Sequence, residues 1–177
     1  MQAITRLFDI PYYQLENWKL EKAMVTKYEG EWRAVSTQQF VDQANAISRA
    51  LLRLGAKKND KIAMISMTNR TEWGIMDTGI LQVGCQNVPI YPTISEEDYA
   101  YVLNHSESVF CFVSCEEVLE KVRAVQKEVP SLKEIYSFDR IDGCKHWSEL
   151  LDLGADQANQ KEVEARKDAV KPEDLAT

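Results

Sequence analysis

Apolar positions recur along this chain with two rhythms, and the change from one to the other divides it into strands and helices. Residues 61–67 form an apolar run (Ile62, Ala63, Met64, Ile65, Met67) with no polar face, the pattern of a strand covered on both sides. Asn69 followed by Glu72 has the form of a capping box, in which the Asn side chain accepts from an orphan N–H and the acid reaches back to the cap. Trp73, Met76, Ile80, Leu81 and Val83 then follow at helical spacing until Gly84, a residue suited to the left-handed turn that stops a helix. Residues 87–91 read as a second apolar strand. Strand, helix and strand within about thirty residues make a βαβ unit, whose strands are parallel and whose crossover is right-handed. The stretch from Lys61 to Thr93 is therefore the unit around which the rest is organised.

Before it, residues 23–28 and 32–35 are β-prone and are separated by Glu29-Gly30-Glu31, a hairpin pattern. Ser36 with Gln39 is a capping box that opens a helix burying Phe40, Ala44, Ile47, Leu51 and Leu54 and stopping at Gly55. After it, Ser95 with Glu96, Glu97 and Asp98 begins a helix that buries Tyr99, Val102 and Leu103. Residues 109–113 make a third parallel-type strand, and Ser114 with Glu117 a further capping box. The next helix, lined by Val118, Leu119, Val122 and Val125, runs until Pro130. A fourth strand is predicted at 134–138 and a short helix at 147–153. Residues 159–170 are charged, with only Val163, Ala165 and Val170 to bury. The fold class is α/β: a doubly wound, mostly parallel sheet with helices on both faces, plus a small N-terminal β-hairpin.

At 177 residues the chain is long enough for one domain with a substantial core, and its 45% hydrophobic and 28% charged content is that of a globular protein. No apolar run is long enough to span a bilayer, and the opening residues lack a signal-peptide core, so a cytoplasmic location is expected. Twenty-one basic against 28 acidic residues give a net charge of −7, which opposes association with nucleic acid. Cys85, Cys111, Cys115 and Cys144 have no metal-binding spacing and read as reduced, largely buried thiols.

Open parallel sheets bind ligands beyond the carboxyl ends of their strands, here residues 68–70, 91–93 and 114–116. None of these contains a phosphate cradle. Gly74, Gly79 and Gly84 are evenly spaced, but no Gly-Lys-Ser/Thr follows them, and close helix packing accounts for them. His105 near Glu107 and His146 before Trp147 are general bases by residue type alone; structural or surface roles are expected, since neither has a nucleophile or orienting partner. No catalytic, cofactor-binding or metal-ligating residue is assigned. Tyr91 and Thr93, at a strand end, are candidates for bordering a cleft, the alternatives being a core aromatic and a helix-entry hydroxyl.

Three segments taken together, 69–73 (NRTEW), 84–93 (GCQNVPIYPT) and 101–106 (YVLNHS), resemble the opening region of AMP-forming acyl-CoA synthetases, especially long-chain fatty acid–CoA ligases. The resemblance runs from about Leu15 to Thr177. It implies a full-length enzyme that uses ATP, Mg2+ and CoA to convert a fatty acid into an acyl-adenylate and then a thioester. In that family a Ser/Thr/Gly-rich loop ending near a lysine holds the ATP phosphates, and a mobile C-terminal domain brings a further lysine. Residues 172–177 resemble the run into that loop, and the loop itself is absent. The resulting expectation is that residues 1–177 are a partial N-terminal AMP-binding domain ending just before the phosphate-binding loop. Residues 21–140 would be its α/β core and 155–177 a charged linking segment. No family catalytic residue has a matching position here, so the isolated chain is expected to be inactive, with no cofactor of its own. Its partner is then the remainder of the same polypeptide, with self-association of the exposed surfaces when that is missing, and membrane association of the full-length enzyme stays open. The alternative is a stand-alone non-catalytic α/β scaffold or interaction domain whose reading frame stops soon after Thr177.

Overall fold

The computed structural model describes residues 4–177; the first three, part of the opening stretch read above for targeting signals, lie outside the described residues. In chain order the elements are α1 (Asp9–Asn17), β1 (Met24–Tyr28), β2 (Glu31–Val35), α2 (Thr37–Arg53), β3 (Lys61–Ile65), α3 (Thr71–Leu81) and β4 (Gln86–Ile90). They continue with α4 (Glu96–His105), β5 (Phe110–Val113), α5 (Glu116–Val125), β6 (Glu134–Ser137), β7 (Lys145–His146), α6 (Ser148–Leu153) and α7 (Gln160–Ala169). Strands β1 and β2 form the antiparallel hairpin, and the main sheet has five parallel strands in the order β4-β3-β5-β6-β7.

The strand order explains why helices cover both faces. The chain steps from β3 to β4 in one direction, then crosses back over β3 to β5 and continues to β6. Right-handed crossovers in opposite directions place their helices on opposite faces. Accordingly, Ile62, Met64, Phe110, Phe112 and Tyr136 point to a core shared with α2, α3 and α6. Their strand neighbours Ala63, Ile65, Cys111, Val113 and Ile135 point to a second core under α4 and α5. Both faces being buried, the strands lack the polar alternation of a half-exposed sheet.

Several local signals are realised. Ser36 accepts from the Gln39 N–H while the Gln39 side chain accepts from the Ser36 N–H, the complete capping box. Ser95 caps α4 by accepting from the Asp98 N–H. Gly55 and Gly84 take positive φ just beyond α2 and α3. The other two capping boxes do not form. Helix α3 begins from Arg70, and the N–H of Thr71 is satisfied by Thr26 Oγ1 of the hairpin at 2.9 Å. Helix α5 begins from Cys115, and Ser114 Oγ instead accepts from the Met67 N–H at 3.0 Å. In both cases a tertiary partner displaced the local one: Thr26 takes the Thr71 N–H and Tyr28 and Arg70 take Glu72, while Met67 takes Ser114.

Helices α1 and α7, and the two-residue β7, have no counterpart in the sequence expectations. The charged region that yields α7 is held against α2: Val163 is fully buried, Arg49 Nη1 donates to Gln160 Oε1, and Arg53 pairs with Asp156. The sheet edge at β4 is partly covered from the same direction, since the Asn87 N–H donates to Ala176 O at 2.9 Å. Gln86 donates inward, to Asp60 O, so Asn87 and Pro89 are the strand residues whose backbone nitrogens face outward.

Two glycines let backbones meet α2. A Cβ on Gly79 would lie 2.6 Å from Ile47 Cγ2, and one on Gly154 only 1.9 Å from Ala46 O. These approaches are bridged by Ser48 Oγ donating to Gly79 O at 2.8 Å and Arg49 Nε donating to Gly154 O at 2.7 Å. Gly79→Ala is expected to destabilise the chain by about 1–3 kcal/mol. Gly154→Ala is expected to cost more, because the obstacle is backbone and not a side-chain tip. Urea unfolding midpoints of the two variants test this, and equal stability of either variant with the parent chain would contradict the packing account.

Candidate functional site

The sheet reverses its order between β3 and β5, and the loops leaving these strands border the crevice in which doubly wound folds bind ligands. Here the chain closes much of that crevice with its own groups. The Ser114 N–H continues the β3–β5 pairing by donating to Ile65 O at 3.0 Å, while Ser114 Oγ takes the Met67 N–H. Arg70 lies across the loops. Its Nη2 donates to Glu72 Oε1 at 3.1 Å and to Asp139 Oδ1 at 3.0 Å, its Nη1 reaches Ser114 O at 3.4 Å, and its guanidinium stacks over the Phe138 ring.

The pair at the centre is well shielded, with side-chain exposures of 7% for Arg70 and 10% for Glu72. The hairpin completes it: Tyr28 OH donates to Glu72 Oε2 at 2.5 Å. Burial works against the Arg70 cation, but the bonds to Glu72 and Asp139 outweigh it and raise its pKa. Burial, and then the Glu72 carboxylate, push the Tyr28 phenol up to about 12. This is the arrangement of a structural ion pair: both Glu72 carboxylate oxygens and the Arg70 guanidinium are already engaged, by each other, by Tyr28 and by Asp139. A polyphosphate brought to Arg70 would meet a cation already neutralised by two carboxylates. The residues present therefore do not fit the phosphates of a nucleotide, nor do they group His, Cys, Asp or Glu as a magnesium or zinc site would need among the described residues.

Tyr91 and Thr93 lie just beyond β4, at the same end of the sheet. Tyr91 is 81% exposed and so is not a core aromatic, and Thr93 is also exposed. Their side chains make no hydrogen bond among the described residues, and neither lines either of the two cavities described below. His146 has both ring nitrogens engaged. Nε2 donates to Phe138 O at 2.8 Å, leaving Nδ1 to accept from Ser148, so the ring ties β7 to the end of β6. His105 is an exposed residue stacked on Tyr101 at the end of α4. All four cysteines are free thiols; Cys85 and Cys111 are buried, and burial pushes Cys85 up to about 12. Sequence reasoning missed the Arg70–Glu72–Tyr28 cluster, since Glu72 looked like a local capping residue and nothing nearby in sequence points to Tyr28.

Two cavities lie away from this crevice. One of about 250 Å3 is lined by residues from the two outer portions of the chain, among them Phe8 and Val170, together with Cys85 at the end of the α3–β4 turn. The other, of about 280 Å3, lies between α1, the hairpin, α2 and α3.

Comparison with known proteins gives one consistent result. The family model described as AMP-binding enzyme matches residues 13–177. Among curated proteins, the long-chain-fatty-acid–CoA ligase FadD15 of Mycobacterium bovis is 33% identical over 149 residues, covering 84% of this chain and 24% of that protein. Among solved structures, the anthranilate CoA ligase AuaEII in complex with anthranoyl-AMP superposes with a TM-score of 0.69 at 19% identity, over 82% of this chain and 27% of that one. A putative long-chain-fatty-acid CoA ligase from Rhodopseudomonas palustris gives a TM-score of 0.67 at 17% identity, over 81% of this chain and 35% of that one. At such identities the structural likenesses speak for the fold. The chain spans about a quarter of the length of the curated relatives it matches.

Arg70→Met strands Glu72 as a buried, unpaired charge and is expected to cost about 3 kcal/mol or more, whereas Tyr28→Phe removes one hydrogen bond to a charged group, worth about 1.5–3 kcal/mol. Urea unfolding at neutral pH measures both, and an Arg70→Met chain as stable as the parent would contradict the pairing. The alkaline limb is a further test. The folded Tyr28 and Tyr99 phenols are both pushed to about 12 from an ordinary value of 10.0, chiefly by burial, so above 10 the folded chain holds protons that the unfolded chain has lost. Stability from these groups is complete below pH 10 and is lost as pH rises through about 12. Tyrosinate absorbance of the folded chain should therefore show late-titrating phenols, one fewer in Tyr28→Phe.

Proposed function

The chain belongs to the AMP-binding enzyme family, and we propose that it is the N-terminal part of an ATP-dependent long-chain fatty acid–CoA ligase. The observation that carries this reading is the 33% identity with FadD15 along 84% of the chain, which includes the β3–α3–β4 unit. In this reading the complete protein joins a fatty acid to AMP as an acyl-adenylate and then transfers the acyl group to the thiol of CoA. ATP, Mg2+ and CoA would be held by other parts of the same polypeptide. The contribution of residues 1–177 is a scaffold. The Arg70 cluster and Ser114 fix the loops leaving β3 and β5, and Tyr91 and Thr93, beyond β4 at the same end of the sheet, stand as exposed groups available to border a cleft completed by the remainder.

This reading places the protein in the cytoplasm and leaves membrane contact to the complete enzyme's handling of lipid; no helix of the described residues is long and apolar enough to cross a membrane. Half-exposed Leu7, Ile10 and Met24 and the more exposed Trp18, Trp32 and Leu175 are surfaces for contact with the rest of the polypeptide, and for self-association without it.

The purified 177-residue chain, given palmitate, ATP, Mg2+ and CoA, is expected to form no acyl-CoA, while a polypeptide continuing through a Ser/Thr/Gly-rich loop that closes on a lysine is expected to form it. Acyl-CoA made by the short chain alone would refute the scaffold role. A reading frame that stops soon after Thr177 would overturn the ligase reading in favour of a stand-alone scaffold.

A further inference from the structure

The hairpin leaves one strand edge open. Glu29 and Gly30 both take positive φ, 49° and 90°, and form the turn between the paired residues Tyr28 and Glu31. In a hairpin closed by so short a turn, Tyr28 and Glu31 exchange backbone hydrogen bonds, and alternation along the ladder gives the same role to Thr26 with Arg33 and to Met24 with Val35. Trp32 and Ala34 fall at the intervening positions, so their N–H and C=O groups point away from β1. These groups meet no hydrogen-bond partner among the described residues. Nor is the edge covered: β2 is exposed from Glu31 to Ala34, whereas β1 is tied to α3 by the Thr26–Thr71 and Tyr28–Glu72 bonds.

The side chains along this edge supply the second observation. Glu31 and Arg33 share the face of Tyr28, whose ring lies 5.3 Å from the Arg33 guanidinium, and Trp32 stands on the opposite face beside Lys27. Neither Glu31 nor Arg33 has an ion-pair partner among the described residues. The order along β2 is Glu31, Trp32, Arg33, so the strand read backwards presents Arg, Trp, Glu. A second copy related by a two-fold axis at Trp32 therefore meets this edge with opposite charges. In that antiparallel register the two Trp32 residues exchange N–H···O=C bonds, and Glu31 and Arg33 of each copy stand directly opposite Arg33 and Glu31 of the other. In the next register, with Arg33 facing its own copy, like charges are opposed. Charge on an edge strand ordinarily guards it against pairing, and here it admits one partner in one register.

We propose that the β2 edge is a self-recognition surface, through which two copies of this chain join their hairpins as one four-stranded antiparallel sheet centred on Trp32. The contact is isologous, so it closes as a dimer and leaves no β2 edge for further growth. It gives the self-association proposed above a defined surface and register. It uses no group at the carboxyl end of the main sheet, and it stands whether or not the ligase reading does.

A contact of one short strand from each copy belongs with weak interfaces, with an expected dissociation constant of about 0.1–1 mM at low salt. Sedimentation equilibrium of the purified chain across that concentration range is expected to show monomer and dimer, with hydrogen exchange at the Trp32 amide slowing as dimer accumulates. Arg33→Glu and Glu31→Arg each set like charges against one another at both cross-strand pairs, and each is expected to weaken dimerisation about tenfold or more. Both positions are exposed, so both variants are expected to keep the parent circular dichroism spectrum. An equimolar mixture of the two variants restores opposite charges and is expected to form a heterodimer about as tight as the parent dimer. A parent chain that stays monomeric throughout, a dimer equally tight in both single variants, or a mixture no more associated than its components would overturn the proposal.

Discussion

Helix α2 packs against two glycine backbones that offer it no side chain of their own, and the positions of the other layers follow from that closeness. Gly79 brings α3 against Ile47 and Ala44, and Gly154 brings the end of α6 against Ala46. Ser48 and Arg49, both buried, spend their polar atoms on the two glycine carbonyls, so each close approach is also a fixed register. With α3 held this way, Thr71 meets Thr26 of the hairpin and Arg70 reaches across the loops leaving β3 and β5. The polar cluster at the carboxyl end of the sheet therefore depends on apolar packing near the middle of the layer above it. Interiors at crystal-like density transmit such constraints because they cannot absorb them locally.

The layered architecture was legible because its signals are local and redundant. Continuous apolar runs marked β3 and β5, helical spacing marked α2 and α5, and glycines at positive φ closed α2 and α3. The capping boxes show where this kind of legibility ends. Ser36–Gln39 formed as expected, since that helix start is exposed and nothing competes for its groups. At Asn69–Glu72 and Ser114–Glu117 the same pattern was overridden by partners far away in sequence: Thr26, Tyr28 and Met67. Helix α7 was illegible for a related reason. Its one deeply buried apolar residue, Val163, gives no periodicity, and its docking rests largely on Arg49 and Arg53, polar contacts that a hydropathy pattern does not register.

The site was less legible than the fold. The sequence could not reveal that Arg70, Glu72, Asp139 and Tyr28 would meet beyond the strand ends, because their assembly requires the hairpin and β6 to be in place. The histidines were easier to discount. His146 has neighbours for both ring nitrogens within a few residues of sequence or one strand away, which leaves it no free lone pair for chemistry.

The outer edge of β4 has a consequence for how the molecule behaves in company. An exposed edge is a template on which another chain can add a strand, and it works by offering a row of free N–H and C=O groups. Here that row is nearly empty of donors. The Asn87 N–H is taken by Ala176, and Pro89, the other outward-facing residue of the strand, has none to offer. Only carbonyls remain for a newcomer, so the edge is guarded against fibrillar growth by a proline and by the segment at Ala176. At the far edge, β7 is too short to serve as a template.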